Sequence, residues 1–360
     1  MLEAVVIFIL VLAVLVLVHE WGHFFVARKA GIKVEEFGFG FPPRICKWKT
    51  KVTTFTLNWL PLGGFVKLKG EDGSSAAESD SYSNKGPWTR AAVVVAGVVM
   101  NFLLAAVLFS VGFMIGAPQI VHDDLPASAI VSDVHTDIVT VVEGTTAHEV
   151  GIEAGDRIVS IAGGENNAGY LVDVSDFRYN HDTSFELVVD RDGEELTFEV
   201  TPDILEQTGK PGIGVGLIES GTVKYPVGTA IVRGVVKTGK FTRSVVVGLY
   251  TLLRDLIFGK GVSGDVAGPV GIAVITGEVA ELGWNHMIQF IAILSVNLGV
   301  LNLIPFPALD GGRLLFIGIE LVRGKPVNQK SEQLAHIIGF ALLMLLIIVV
   351  TVKDVSRFGF

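Results

Sequence analysis

Long apolar runs alternate with polar connections along this chain, and four of them, residues 4–27, 91–116, 287–304 and 334–352, are long enough to cross a bilayer. The third is the shortest. Between the first two, residues 51–69 alternate polar and apolar positions around Pro61-Leu62-Gly63-Gly64, the period of short strands joined by a turn. The apolar members, Phe55, Leu57, Trp59, Leu60, Phe65 and Val66, suit a hairpin or small sheet that dips into the membrane where protein shields its backbone. A plain hairpin in water is the alternative. Residues 71–85, rich in Ser, Asp and Ala, predict a flexible loop. Residues 120–201 form the one long stretch of soluble character, with strand-like runs at 158–161, 185–189 and 196–200.

Composition supports a membrane class: half of the 360 residues are hydrophobic, and the mean hydropathy is +0.56. The first run carries Glu3 rather than Lys or Arg at its start, and no small-x-small pattern follows Val18, so it reads as a span rather than a signal peptide. Cys46 is the single cysteine, which excludes an intrachain disulfide.

The net charge of −9 is unevenly spread. Residues 24–90 hold 11 Lys/Arg against 6 Asp/Glu, whereas residues 115–230 hold 5 against 21. By the positive-inside rule the basic connection is cytoplasmic, and the acidic region and both termini lie across the membrane. Arg233, Lys237, Lys240, Arg243 and Arg254 fall on the outer side in that arrangement. Their spacing, interleaved with Val235, Val236, Phe241, Val245 and Leu249, predicts an amphipathic helix on the bilayer surface, with a solvated basic face as the alternative. No nucleic-acid partner is expected; membrane lipids are.

The chemistry begins at His19-Glu20-Trp21-Gly22-His23, which is H-E-x-x-H. On a helix its two histidines share a face and can share one metal ion, and Glu20 beside the first ligand is placed to act as a general base. Two histidines and a glutamate in a span otherwise mostly aliphatic and aromatic are costly unless they serve a site. His19 lies roughly 23 Å along the run from Ala4, beyond the middle of a core about 30 Å thick, which puts the site inside the membrane and nearer the cytoplasmic face. A catalytic zinc takes three protein ligands and leaves a fourth position for water. The third ligand is expected from another span, and Asp310 is the candidate. It follows Pro305 and Pro307, which end a regular helix, and precedes Gly311-Gly312, a pair that permits a tight turn. In the second span Gly97 permits close helix contact. Asn101, one turn on, either faces the metal's interior or binds another helix. His122, His135, His148 and His181 have no metal spacing. His286 and His336 stand near span ends, where an interfacial role is the simpler reading. With no second intramembrane cluster of ligands, a metal transporter is a weak rival.

Two resemblances extend this reading. Gly151-Ile152-Glu153-Ala154-Gly155-Asp156-Arg157-Ile158-Val159-Ser160-Ile161-Ala162-Gly163 resembles the signature of PDZ domains, which implies a peptide ligand added to a sheet edge and a role in gripping or filtering substrates. HEWGH in a first span, with the N-x-x-P-x-P-x-L-D-G segment Asn302 to Gly311, resembles the site-2 protease family of intramembrane zinc metalloproteases (peptidase family M50), in its bacterial RseP-type branch with a single PDZ domain. Residues 61–67, 90–101 and 268–272 resemble that family's membrane-associated β region, second core helix and stretch before the third span. The resemblance implies a metalloendopeptidase with one catalytic Zn2+ on His19, His23 and Asp310, and Glu20 as the residue that activates water. It also implies that Asn302 orients substrate or steadies developing charge. Gly64 and Phe65 of the β region, with Asn101, are further candidates for substrate contact. The implied substrates are single-span transmembrane proteins, such as anti-sigma factors or remnant signal peptides; a non-catalytic membrane PDZ scaffold that keeps a metal site is the alternative.

The expected fold is therefore a multi-pass α-helical membrane protein of the cell (inner) membrane. It has about four transmembrane helices, a membrane-associated β-hairpin or sheet, and one extracytoplasmic α+β PDZ-like domain. The expected divisions are residues 1–116 (two spans and the β region), 117–205 (PDZ-like), 206–285 (linker with the interfacial helix) and 286–360 (last two spans).

Overall fold

The computed structural model describes residues 2–72, 75, 77–121, 125–162, 184–191, 193–205, 209–259 and 267–358. The chain divides into two compact units, one of Met1–Gly112 with Val227–Phe360, the other Phe113–Pro226.

The first unit opens with α1 (Leu2–Lys29). The helix is apolar almost all round, and its inward positions Val11, Leu15, His19, Phe24 and Ala27 are buried. Gly31, in the left-handed region at φ 68°, ends it and turns the chain into β1 (Val34–Lys49), which pairs antiparallel with β2 (Thr54–Leu68). Both strands bend, so the pair makes four segments in the order 44–49, 54–60, 36–41, 64–68, with the first and last as outer edges. Phe37, Val34 and Leu68 pack on Phe24 and Ala27 of α1, which fixes the sheet to the helix. Trp48, Trp59, Ile45 and Leu60 stay exposed on the sheet.

Part of the connection expected to be flexible, around Glu78 and Asp80, is tied by ion pairs and a backbone bond. Lys69 pairs with Asp80 at 2.8 Å and with Glu78, and Lys33 N–H donates to Asp80 O at 2.9 Å. These bonds raise the Lys69 ammonium and lower the Asp80 carboxyl from their ordinary ranges. Tyr82 beside them is pushed up to about 12 by burial. Then α2 (Pro87–Ile115) begins on a proline, which suits a first helical turn that needs no N–H partner.

The second unit holds β3 (Ala117–Ile120), β4 (Ile130–Val141), α3 (Thr146–Glu149), β5 (Arg157–Ala162), β6 (Phe185–Arg191), β7 (Glu194–Val200), β8 (Asp203–Leu205), β9 (Lys210–Gly212) and β10 (Val215–Lys224). Six strands form one sheet in the order β3-β10-β4-β5-β6-β7, antiparallel throughout, and β8 pairs with β9 apart from it. Ile138, Ala147, Ile152, Phe185, Leu187, Val189, Val200 and Ile213 make its core. The unit runs past the expected end at 205, because β10 returns between β3 and β4 and its pairing is invisible to local pattern. The Gly-Asp turn is held electrostatically: Asp156, only 1% exposed, accepts from Arg191 Nε at 2.6 Å and Nη2 at 2.7 Å and from Glu153 N–H at 2.9 Å. Gly163, the last residue of the PDZ-like signature, lies outside the described residues.

Back in the first unit come α4 (Val227–Ile257), α5 (Pro269–Glu281), α6 (Trp284–Leu303), α7 (Asp310–Arg323) and α8 (Gln329–Phe358). Residues 206–285 are thus more than a linker, since they carry β9, β10, α4 and α5. α4 is amphipathic as expected, but its inner face is docked. Gly234 lies so close to α2 that a Cβ would stand 2.1 Å from Ser110 Oγ, and Lys237 reaches Gln289 Oε1 on α6 at 2.6 Å, while Val232, Val235, Val246 and Val247 face out. Asp354 near the end of α8 is buried and accepts the N–H groups of Gly268 (3.2 Å) and Gly271 (2.8 Å), capping α5. Among the described residues, four helices, at Glu3–Lys29, Pro87–Ile115, Trp284–Leu303 and Gln329–Arg357, are long and apolar enough to span a membrane, in agreement with the four apolar runs.

Candidate metal centre

Helical spacing brings His19 and His23 together on the inner face of α1, ring centroids 4.7 Å apart, with the two Nε2 atoms 3.1 Å from each other. Asp310, at the start of α7, completes the group: its Oδ2 lies 3.1 Å from His19 Nε2 and 3.2 Å from His23 Nε2. Among the described residues these three form the metal-competent cluster.

The geometry fits zinc. Ligand atoms about 2.0–2.1 Å from a tetrahedral zinc stand about 3.3 Å from one another, close to the edges of this triangle. Asp310 Oδ2 is buried with no hydrogen-bond partner, an arrangement that makes sense for a carboxylate oxygen turned toward a cation. The histidine tautomers agree. His23 Nδ1 is 2.8 Å from Val93 O, so Nδ1 carries the proton and Nε2 presents its lone pair to the centre.

His19 has Asn101 behind it. Asn101 is wholly buried, with Nδ2 3.1 Å from His19 Nδ1 and Oδ1 left without a partner. Rotating the amide by half a turn exchanges two atoms of nearly equal size and lets Oδ1 accept the Nδ1 proton, which is the arrangement that a ligating Nε2 requires. Ser295 on α6 donates to Asn101 O at 2.8 Å and steadies that turn of α2. Asn101 thus touches His19 directly.

Asp310 is aimed by irregular backbone, as Pro305 and Pro307 suggest, but the role of the glycines differs from the expected one. Neither Gly311 nor Gly312 has positive φ. Both are buried, and a Cβ would stand 2.1 Å from Ile304 O at Gly311 and 2.4 Å from Phe306 O at Gly312. They are needed for close approach of the loop to the first turn of α7. The left-handed residue is Ala308, at φ 85°.

Glu20 is half-buried beside His19 and interacts electrostatically with both histidines and Asp310. Gly64, on the outer sheet segment, packs against it: a Cβ would stand 2.8 Å from Val16 Cγ1 and 2.9 Å from Glu20 Cγ. The ring of Phe65 lies over Gly38 on the neighbouring segment. Asn302 is half-buried in the last turn of α6. Sequence reasoning missed the Val93 carbonyl, which no side-chain pattern reports. It also missed the crowding that makes Gly22 necessary, where a Cβ would stand 2.3 Å from Ala96 O, although a glycine inside H-E-x-x-H was a readable signal of close helix contact.

Known proteins match this chain over nearly its whole length. The chain is 33% identical to the zinc metalloprotease RasP of Geobacillus kaustophilus and 32% identical to that of Bacillus licheniformis, over 99% of both chains in each case. It is 31% identical to the regulator of sigma-W protease RasP of Bacillus subtilis, again over 99% of both. Residues 7–346 match peptidase family M50, and the chain belongs to that family.

Proposed function

We propose that the chain is a zinc-dependent intramembrane endopeptidase of the site-2 type, which hydrolyses peptide bonds within or near the membrane segments of single-span proteins. The triangle of His19, His23 and Asp310 beside Glu20, on a helix apolar enough to cross a bilayer, carries this reading.

His19, His23 and Asp310 would hold one zinc ion, which when bound supplies Lewis acidity to the scissile carbonyl and the attacking water. Glu20 takes the proton from that water as it adds to the carbonyl carbon, then gives it to the leaving amine nitrogen. Asn101 and Val93 O keep the two imidazoles in the tautomer and orientation that ligation needs.

A transmembrane helix hides its carbonyls in internal hydrogen bonds, so the segment to be cut must first be extended. Residues 64–68 form an outer edge of the sheet and meet Glu20 through Gly64, so an extended substrate strand added there lies beside the general base. Phe65 and Asn302 are assigned to the same substrate path. Val66→Pro, with fold and zinc content intact, slows cleavage; an unchanged rate discards the edge as the guide.

The antiparallel sheet, short α3 and Gly-Asp turn of the second unit support its PDZ-like reading, with an extended peptide as ligand. The charge asymmetry supports an inner-membrane protein with that acidic unit outside and the metal nearer the cytoplasmic face. The Bacillus subtilis relative is named for regulation of sigma-W, and anti-sigma factors are the substrate class assigned here, with remnant signal peptides as a second.

The rival, a PDZ scaffold with an idle metal site, is separated by one substitution. Glu20→Gln should lower cleavage of a single-span substrate by about 10²–10⁴-fold while bound zinc is unchanged. Equal cleavage by both forms removes Glu20 as the base.

A further inference from the structure

Asp310 follows a bend that the local sequence does not favour. Ala308, two residues before it, sits at φ 85°, where a Cβ is strained and glycine is the usual occupant. Its half-buried N–H is also stabilised by an acceptor.

That acceptor comes from a different span. The Ala308 N–H donates to His336 Nδ1 on α8 at 3.0 Å. One turn further along α8, Gly339 is buried against the same loop, and a Cβ there would stand 2.3 Å from Pro307 O. The His336 ring also rests on Phe316 of α7, centroids 5.7 Å apart. Two independent features of α8, an acceptor and a gap, thus match the bent segment residue for residue. With Nδ1 accepting, the proton of His336 is on Nε2, and the residue serves as a fixed hydrogen-bond acceptor rather than as a ligand or acid at the metal.

We propose that His336 is a positioning residue for the metal centre: by accepting the Ala308 N–H it holds the left-handed bend that aims Asp310 at His19 and His23. This rests on Asp310 being a zinc ligand. Without the acceptor, the half-buried N–H loses its partner and Ala308 relaxes toward negative φ, which turns Asp310 away. The fourth membrane helix then contributes to catalysis without touching substrate or metal.

The test uses the full chain, purified in detergent, with zinc affinity measured by chelator competition and kcat and KM measured on a single-span substrate. His336→Leu is expected to weaken zinc binding about tenfold or more and to lower kcat at unchanged KM. His336→Asn places an amide oxygen near the position of Nδ1 and should stay within about threefold of wild type by the same reasoning. Ala308→Gly, which removes the cost of the bend, should restore much of the zinc affinity in the His336→Leu background. Wild-type zinc affinity and kcat in His336→Leu overturn the proposal, as does equal damage in His336→Asn or no recovery with Ala308→Gly. Asp310→Ala runs alongside: if it keeps zinc, the ligand assignment falls, whereas its loss of zinc with none in His336→Leu overturns the positioning role alone.

Discussion

Gly97 of α2 lies against the imidazole of His23, so that a Cβ built on it would stand 2.4 Å from Nε2 and 2.8 Å from His19 Cε1. The second span therefore approaches the ligand face of the first with nothing between backbone and rings. Gly97→Ala should displace at least one imidazole and cost ten- to hundredfold in zinc affinity, on the scale of lost orienting contacts. Zinc titration of the purified variant checks it, and a wild-type affinity would show that α2 can back away freely.

Asn101→Leu keeps the volume near His19 but removes the acceptor for its Nδ1 proton. Zinc should be held about tenfold more weakly, while Asn101→Asp, which keeps an oxygen there, should be closer to wild type. The order of the two variants is the informative result, since a purely packing role for Asn101 ranks leucine no worse than aspartate.

Gly64→Val acts on the other side of the site. The added side chain meets Val16 and the Glu20 stem, so kcat should fall by about 10²-fold or more as the base is displaced, while His19, His23 and Asp310 still retain zinc. Parallel loss of zinc and activity would place Gly64 in the support of the ligands instead.

The second unit has its own acid limit. Burial by itself would raise the Asp156 carboxyl, but its bonds to Arg191 and to the Glu153 N–H outweigh that and hold it below the usual range. A carboxyl depressed in the folded state contributes stability that is present above about pH 3.9 and is lost as pH falls through the lower, folded value. Protection of the β5 and β6 amides against hydrogen exchange, relative to the intrinsic rate at each pH, should therefore fall in that acid window. Asp156→Asn should remove the dependence and cost roughly 1–2 kcal/mol at neutral pH, since Arg191 loses a charged partner but keeps Glu153 and the Gly151 carbonyl.

Much of this was readable from the chain. The four spans follow from run length alone, and His19, Glu20 and His23 stand out because polar groups on an apolar helix demand partners. Asp310 was legible through the prolines before it. The reason for its glycines was not: sequence shows that Cβ is absent, but only packing shows whether conformation or space requires it. Ala308 and His336 carry no local signal at all, as an alanine is a poor candidate for a left-handed bend and a histidine at a span end has a simpler explanation. β10 escaped for a related cause, since a strand inserted between β3 and β4 is specified by partners remote in sequence.

The order in which the parts of the centre are synthesised has a consequence for timing. His19, Glu20 and His23 lie on α1, Asn101 follows on α2, and Asp310 comes only after α6, with His336 later still. If His19, His23 and Asp310 hold the metal as proposed, a chain still being made has only half a site until Asp310 emerges and would not cut its neighbours. On that assignment the centre is complete only once α7 has followed α6, so the order of synthesis itself would serve as a safety catch.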